Sequence, residues 1–202
     1  MRVTPHELAL FPLQSVLFPG ALLQLKVFEA RYLDLVGRCL RESASFGVVC
    51  LRQGAEAGRD NVRFERQGVL ARIVEVDAEQ TGILHVRCHG GQRFAIDGEP
   101  RRQDDGLWLA DVKLLADDDA LAPEAALLRS VKALATAIAA LREQGSTPFN
   151  QPYRLDDAGW VANRWCEILP IPLAAKQRLM MLSEPQLRLK LVDEYLRGKG
   201  VV

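Results

Sequence analysis

Apolar residues run in short stretches or alternate through the first half of the chain, and recur at steps of three and four through the second. Leu8 to Leu13 and Ala21 to Phe28 are apolar runs on either side of a Val16-Leu17-Phe18-Pro19-Gly20 corner. Phe46 to Leu51 (FGVVCL) is a continuous apolar run of strand length. Val69 to Val76 and Ile83 to Cys88 flank a polar AEQTG connection and read as a hairpin. Gln92 to Ile96 and Leu107 to Leu115 add two more strands. Proline cannot donate to a sheet ladder, so the strand starting at Leu8 is expected to break at Pro12 and again at Pro19. Several short strands punctuated by Gly and Pro predict a small barrel or sandwich, in which broken strands turn corners and blunt edges.

One helix interrupts these strands. Across residues 29–42, Tyr32, Leu35, Val36, Cys39 and Leu40 form an apolar stripe at helical spacing. Glu29 at its start and Arg38 and Arg41 near its end suit the helix dipole. After the polar stretch Ala116-Asp117-Asp118-Asp119 the period changes. Pro123 can open a helix whose seam is Leu127, Val131, Leu134, Ile138 and Leu141. Asp156 or Asp157 can cap a second helix carrying Val161, Trp165 and Ile168. The Leu169-Pro170-Ile171-Pro172 break starts a third. Ser183 and Gln186 form an S-x-x-Q capping box for a fourth, which carries Leu187, Leu191 and Tyr195 as its apolar stripe. The reading is α+β: a mostly antiparallel β subdomain over residues 1–116, then a helical bundle of three or four members over 117–202.

The bulk composition narrows the function. Apolar residues make up 49% and charged residues 26% of 202 positions, as in ordinary globular proteins. The 26 basic residues balance the 26 acidic ones, in both halves of the chain, so the broad basic footprint of a nucleic-acid binder is missing. No secretory signal pattern opens the chain, and no apolar run approaches the roughly 20 residues of a membrane span. Cys39, Cys50, Cys88 and Cys166 lie far apart with no C-x-x-C pair, which fits a reduced, cytoplasmic protein.

Candidate chemistry is sparse. His85, Cys88 and His89 share one strand, where Cys88 faces away from both histidines and the histidines stand roughly 13 Å apart; zinc needs its ligands within about 2.3 Å of one point. No phosphate-binding G-x-x-x-x-G-K-[ST] loop and no G-x-S-x-G elbow occurs. Cys50 reads as a small buried hydrophobe, and Asp104-Asp105 and Asp156-Asp157 as turn and cap residues. No catalytic residue, metal or cofactor is assigned. Binding candidates are Met180-Met181, the loop aromatics Phe149 and Tyr153, and a half-buried Trp108.

The opening residues become specific when read together. Leu10-Phe11-Pro12-Leu13, Val16-Leu17-Phe18-Pro19-Gly20 and Val27-Phe28-Glu29-x-Arg31-Tyr32 resemble the start of the Lon protease N-terminal, substrate-binding domain. Phe46-Gly47-Val48-Val49, Gly54-x-Glu56-x-Gly58, Gly68-x-x-Ala71-x-Ile73 and Gly91-Gln92-Arg93-Phe94 follow in the family's order, and Lys176-Gln177-x-Leu179-Met180 is similar to its helical part. Gln24 and Ala30 depart from it, standing where prolines are frequent.

The resemblance implies a six-stranded, PUA-like pseudo-barrel followed by a helical bundle. It also implies a stand-alone domain without the ATPase and Ser/Lys protease modules of a full Lon. On that reading Phe11, Phe18 and Phe28 anchor the barrel interior, while Pro12 and Pro19 turn its corners. Glu29 and Arg31 face different ways, and Arg31 pairs with a carbonyl or a distant carboxylate. The function expected is non-enzymatic binding of unfolded or extended polypeptide, or of a partner protein, by a monomer or weak homo-oligomer. The alternative is a PUA-like RNA or nucleotide binder; a third reading, a cryptic hydrolase using Cys50 or a serine, has no motif behind it.

Overall fold

Strand and helix alternate only once before the helices take over. The computed structural model of the chain describes residues 6–54 and 62–202, so Glu56 and Gly58 of the G-x-E-x-G turn lie outside the described residues. The order is β1 (His6–Leu13), β2 (Leu22–Val27), α1 (Ala30–Glu42), β3 (Phe46–Gln53), β4 (Arg63–Gln80), β5 (Ile83–Arg102) and β6 (Trp108–Leu114). A short 3-10 turn (Ala125–Leu127) then leads into α2 (Leu128–Glu143), α3 (Ala158–Ile168), α4 (Leu173–Met181) and α5 (Pro185–Gly198). The chain divides into a β unit, Met1–Ala116, and a helical unit, Asp117–Val202.

In the β unit the sheet order is β2-β5-β4-β3-β1-β6, with β6 returning to β5. Five strands therefore close on themselves, and β2 hangs on the N-terminal half of β5. Only β1–β3 is parallel (Leu10↔Gly47); the other pairs are antiparallel, including β1–β6 (His6↔Val112). Strands β4 and β5 are far longer than the apolar runs predict. The hairpin turn is just Thr81-Gly82, since the ladder persists to Gln80↔Ile83 and Gly82 supplies the positive φ of 78°. The two predicted strands Ile83–Cys88 and Gln92–Ile96 are one. Val69↔Arg93 is followed by Ala71↔Gly90, so β5 carries one extra residue there, a bulge at the Gly90-Gly91 pair that had looked like a break.

The prolines behave differently from one another. Pro12 does not end its strand: it pairs with Val49 of β3. It stands beyond Leu10, where pairing with β6 stops, so the strand there has a ladder on one side only and can tolerate a missing N–H. Pro19-Gly20 does turn a corner. Gly20 N–H donates to the Gly90 carbonyl and Gly90 N–H donates to that of Ala21, both at 2.8 Å. A Cβ on Gly90 would stand 2.4 Å from the Phe18 carbonyl oxygen, so the corner can approach β5 only over glycine.

Leu10, Val49, Phe94, Ile96, Ala110 and Val112 form the barrel core. Phe11 stacks on Tyr32 of α1 at 3.9 Å between ring centroids, and Phe18 is fully buried. Phe28 is a correction: it is 56% exposed, because it follows the last residue of β2, where the chain turns out of the sheet into α1. Leu40 is likewise exposed, at the edge of the α1 stripe whose buried members are Tyr32, Leu35, Val36 and Cys39. Arg31 is buried with them. It donates to the Gly106 carbonyl at 2.8 Å, as expected, but its carboxylate partner is neighbouring Glu29, also at 2.8 Å. Glu29 is the N-cap residue in extended backbone, which swings its side chain toward Arg31 instead of away from it. Arg93 donates to the Ala116 carbonyl at 3.1 Å.

In the helical unit α3 is the hub. Ala158, Val161, Ala162, Trp165 and Cys166 are all buried, and Trp165 Nε1 donates to the Ser130 carbonyl of α2 at 3.0 Å. The helix starts at Ala158 because Asp157 Oδ1 accepts from Trp160 N–H at 3.0 Å. Replacing Asp157 by Ala removes this cap and its ion pair with Arg154; we expect a loss of about 1 kcal/mol in urea unfolding. Pro123 lies upstream of the first helical turn and is not its N1 residue.

Helix α5 reverses the predicted face. Its buried residues are Pro185, Arg188, Leu189, Val192, Asp193 and Leu196, while Leu187 and Leu191 are exposed and Tyr195 is half-buried. The S-x-x-Q box does not form: Glu184 is the N-cap, Pro185 occupies the first turn, and Gln186 donates to the Ala122 carbonyl. The inward polar residues are satisfied. Ser130 Oγ donates to Asp193 Oδ1 at 2.6 Å, and Arg188 holds Asp118 at 2.6 Å and Asn163 Oδ1 at 2.9 Å.

Candidate functional site

With Arg188 and Asp193 turned inward, the apolar side chains of α5 face out, and α4 lies beside them. Its opening sequence, Leu173-Ala174-Ala175, puts small side chains on the flank that meets Leu191 and Tyr195. The result is an open groove of about 470 Å³, lined by Leu169, Ile171, Ala175, Leu179, Leu191 and Tyr195. Leu173, Met181 and Leu187 are also exposed on these two helices. Arg178 is the only charged residue among those lining the groove. A groove of this size and character takes apolar side chains; it presents no nucleophile and no acid–base pair.

A second cleft, of about 580 Å³, lies in the β unit and is lined by Arg52, Arg63, Phe64, Arg66, Pro100 and Trp108. The Trp108 ring meets Phe64 edge-on at 5.4 Å and carries Arg102 over it at 5.8 Å. Arg52 pairs with Glu65 at 3.4 Å and Arg66 with Glu99 at 3.6 Å, so two of its three lining guanidinium groups already face carboxylates.

The binding candidates read from sequence do not gather at one place. Trp108 lies in the β-unit cleft, half-buried as expected. Phe149 is buried: its ring packs edge-on against Trp160 at 6.2 Å, under Arg164 at 5.6 Å. Met180 is buried in the bundle, whereas Met181 beside it is exposed. Phe149 and Met180 are thus core residues and cannot serve as surface contacts. Tyr153 is half-buried, 6.1 Å from Trp160. The groove residues on α5 were visible in sequence as an apolar stripe, but with the wrong destination.

Among the described residues the titration shifts fall on inward-facing groups. Burial pushes the Cys50 thiol up, with Glu65 adding to it, and pushes Cys88 and Cys166 up to about 12, so none of these is a ready thiolate. Burial likewise lifts Glu167 to about 7 against the pull of Arg164, whose guanidinium lies 2.5 Å away. That pair belongs to the bundle interior. Cys88 faces inward, whereas His85 is exposed. Among the described residues no three His, Cys, Asp or Glu side chains gather as a metal site requires.

Residues 7–198 match the family described as the ATP-dependent protease La (LON) substrate-binding domain. The chain belongs to the Lon substrate-binding domain family. Among solved structures, this Lon domain resembles a Lon N-terminal domain protein from Xanthomonas campestris, with 33% identity and a TM-score of 0.72, over 94% of this chain and 98% of that one. The N-terminal domain of the Mycobacterium avium complex Lon protease shares the fold at 15% identity and a TM-score of 0.64, over 94% and 97% of the two chains. The Lon protease of Methylocella silvestris is 26% identical over 109 residues, which are 54% of this chain and 13% of that protease. The similarity is thus to the substrate-binding part of Lon, and the present chain spans a small fraction of a whole protease. Among its described residues no helix is long and apolar enough to cross a membrane.

Proposed function

We propose that this Lon-type domain is a non-enzymatic module that holds unfolded or extended polypeptide, with the α4–α5 groove as its contact surface. The observation that carries this reading is the exposed apolar groove in a member of a substrate-binding family. Its shape suits apolar side chains presented by a chain lying across α4 and α5. The four buried thiols fit work in the reduced cytoplasm.

The test is a fluorescence titration with a labelled, reduced and unfolded protein. Saturable binding is expected in the micromolar range. Leu191→Asp places a carboxylate in the groove at a position that is 41% exposed, so folding should be spared while affinity falls at least about tenfold. Unchanged affinity in the variant would remove the groove from this reading, and absence of saturation in the parent protein would remove the reading itself.

The RNA or nucleotide reading has one observation behind it, the arginine-lined cleft with Trp108. Paired arginines and a net charge of zero count against it. Binding of RNA that weakens steeply with salt would favour it.

A further inference from the structure

The groove on the helical unit is apolar along its length but electrically one-sided. Arg178 lines it and makes no hydrogen bond or ion pair among the described residues. Other cations of the same unit hold carboxylates: Arg188 has Asp118, Lys190 has Glu124 at 2.8 Å and Arg197 has Asp193 at 2.6 Å. The start of α4 lies in the same wall. Its N-cap is Pro172, which has no capping side chain, no acidic residue stands in the first turn, and Ala174 lines the groove. An uncapped helix start carries partial positive charge and unsatisfied N–H groups. Arg178, in the last turn of α4, stands four residues after Ala174 and so shares its helix face. Lys199, outside the lining residues, stands 5.7 Å from the Tyr195 ring. No carboxylate lines the groove; Glu194, adjacent to Tyr195, is not among the lining residues.

From this we infer that the groove selects polypeptide segments in which apolar residues are flanked by Asp or Glu, the acidic side chain meeting Arg178 of α4. The inference rests on the polypeptide-binding reading above and adds to it the charge class of the bound segment. Its physical basis is complementarity: apolar side chains remove groove surface from water, and a carboxylate satisfies a guanidinium and helix amides that nothing in the described chain satisfies.

Three labelled peptides with one shared Leu/Phe core, flanked by Glu, by Gln or by Lys, separate the two claims when titrated against the full chain. The expected order is Glu, then Gln, then Lys, with at least about a fivefold spread between the ends that narrows as salt is raised. Arg178→Glu, at an exposed position, should invert the order, and Arg178→Gln should flatten it. Equal affinities for all three peptides, lost in Leu191→Asp, would overturn the charge preference and leave polypeptide binding standing. No binding of any peptide or of the unfolded protein would overturn both. An acidic preference that survives Arg178→Glu would overturn the assignment to this groove, as would self-association of the chain that is abolished by Leu191→Asp.

Discussion

Replacing Arg188 by Met should cost the helical unit about 3–5 kcal/mol, the largest effect we expect from any single substitution there. Arg188 is 1% exposed, and its guanidinium is fully used. It meets both carboxylate oxygens of Asp118 at 2.6 and 3.2 Å, Asn163 Oδ1 at 2.9 Å, and the carbonyls of Leu179 and Leu182. Those carbonyls belong to the end of α4 and the turn after it, so one side chain fastens α4, α3 and the entry segment of the unit around Asp118 to α5. Methionine fills the volume but takes away the donors that Arg188 supplies to the half-buried Asp118 carboxylate, the Asn163 amide oxygen and two carbonyls. Urea unfolding followed by far-UV circular dichroism measures the loss. Pairing the change with Asp118→Leu should recover part of it, since the stranded charge is then gone. A loss below about 1 kcal/mol would mean that water replaces the guanidinium and that the network is not what ties the helices.

Gly68→Ala should be comparably damaging to the β unit, at about 3 kcal/mol or more. A Cβ there would stand 2.2 Å from the Val48 carbonyl oxygen, 2.7 Å from Phe94 Cζ and 2.9 Å from Val49 Cγ1. Relief cannot come from a side chain swinging aside, because the closest atom is backbone in β3. Gly68 pairs with Val49 on one side and with Phe94 on the other, so moving either strand opens a ladder of the closed barrel. Phe94 is fully buried in the core and has no free volume to enter. Thermal unfolding of the purified variant checks this; a melting temperature within a few degrees of the parent would show that the sheet can flex where the geometry says it cannot.

Much of the fold was legible from hydrophobic periodicity because one face of each element is wet. The α1 stripe and the β4–β5 hairpin are of this kind, and of the two cap candidates Asp156 and Asp157 the second is the one used. The errors arise where local pattern and tertiary packing part company. Phe28 has the composition of a strand residue but stands past the end of β2. The Gly90-Gly91 pair looks like a terminator and is a bulge inside a strand of 20 residues. On α5 the inward face carries Arg188 and Asp193, whose partners come from residues 70 and 63 positions away in the chain. Periodicity treats both as solvent-facing and so turns the helix the wrong way. The candidate groove was illegible for the same reason: its α5 wall is the stripe that periodicity assigns to the interior.

The pairing of His6 with Val112 has a consequence for synthesis. Of the strands in this unit β1 is made before the others and finds one of its two neighbours in the last, β6, so the barrel stays open until about residue 114 has emerged. Contacts this distant along the chain make closure slow. During that interval the unpaired flank of the N-terminal strand is bare and sticky, and a domain whose proposed task is to hold unfolded chains begins its own existence as one of them.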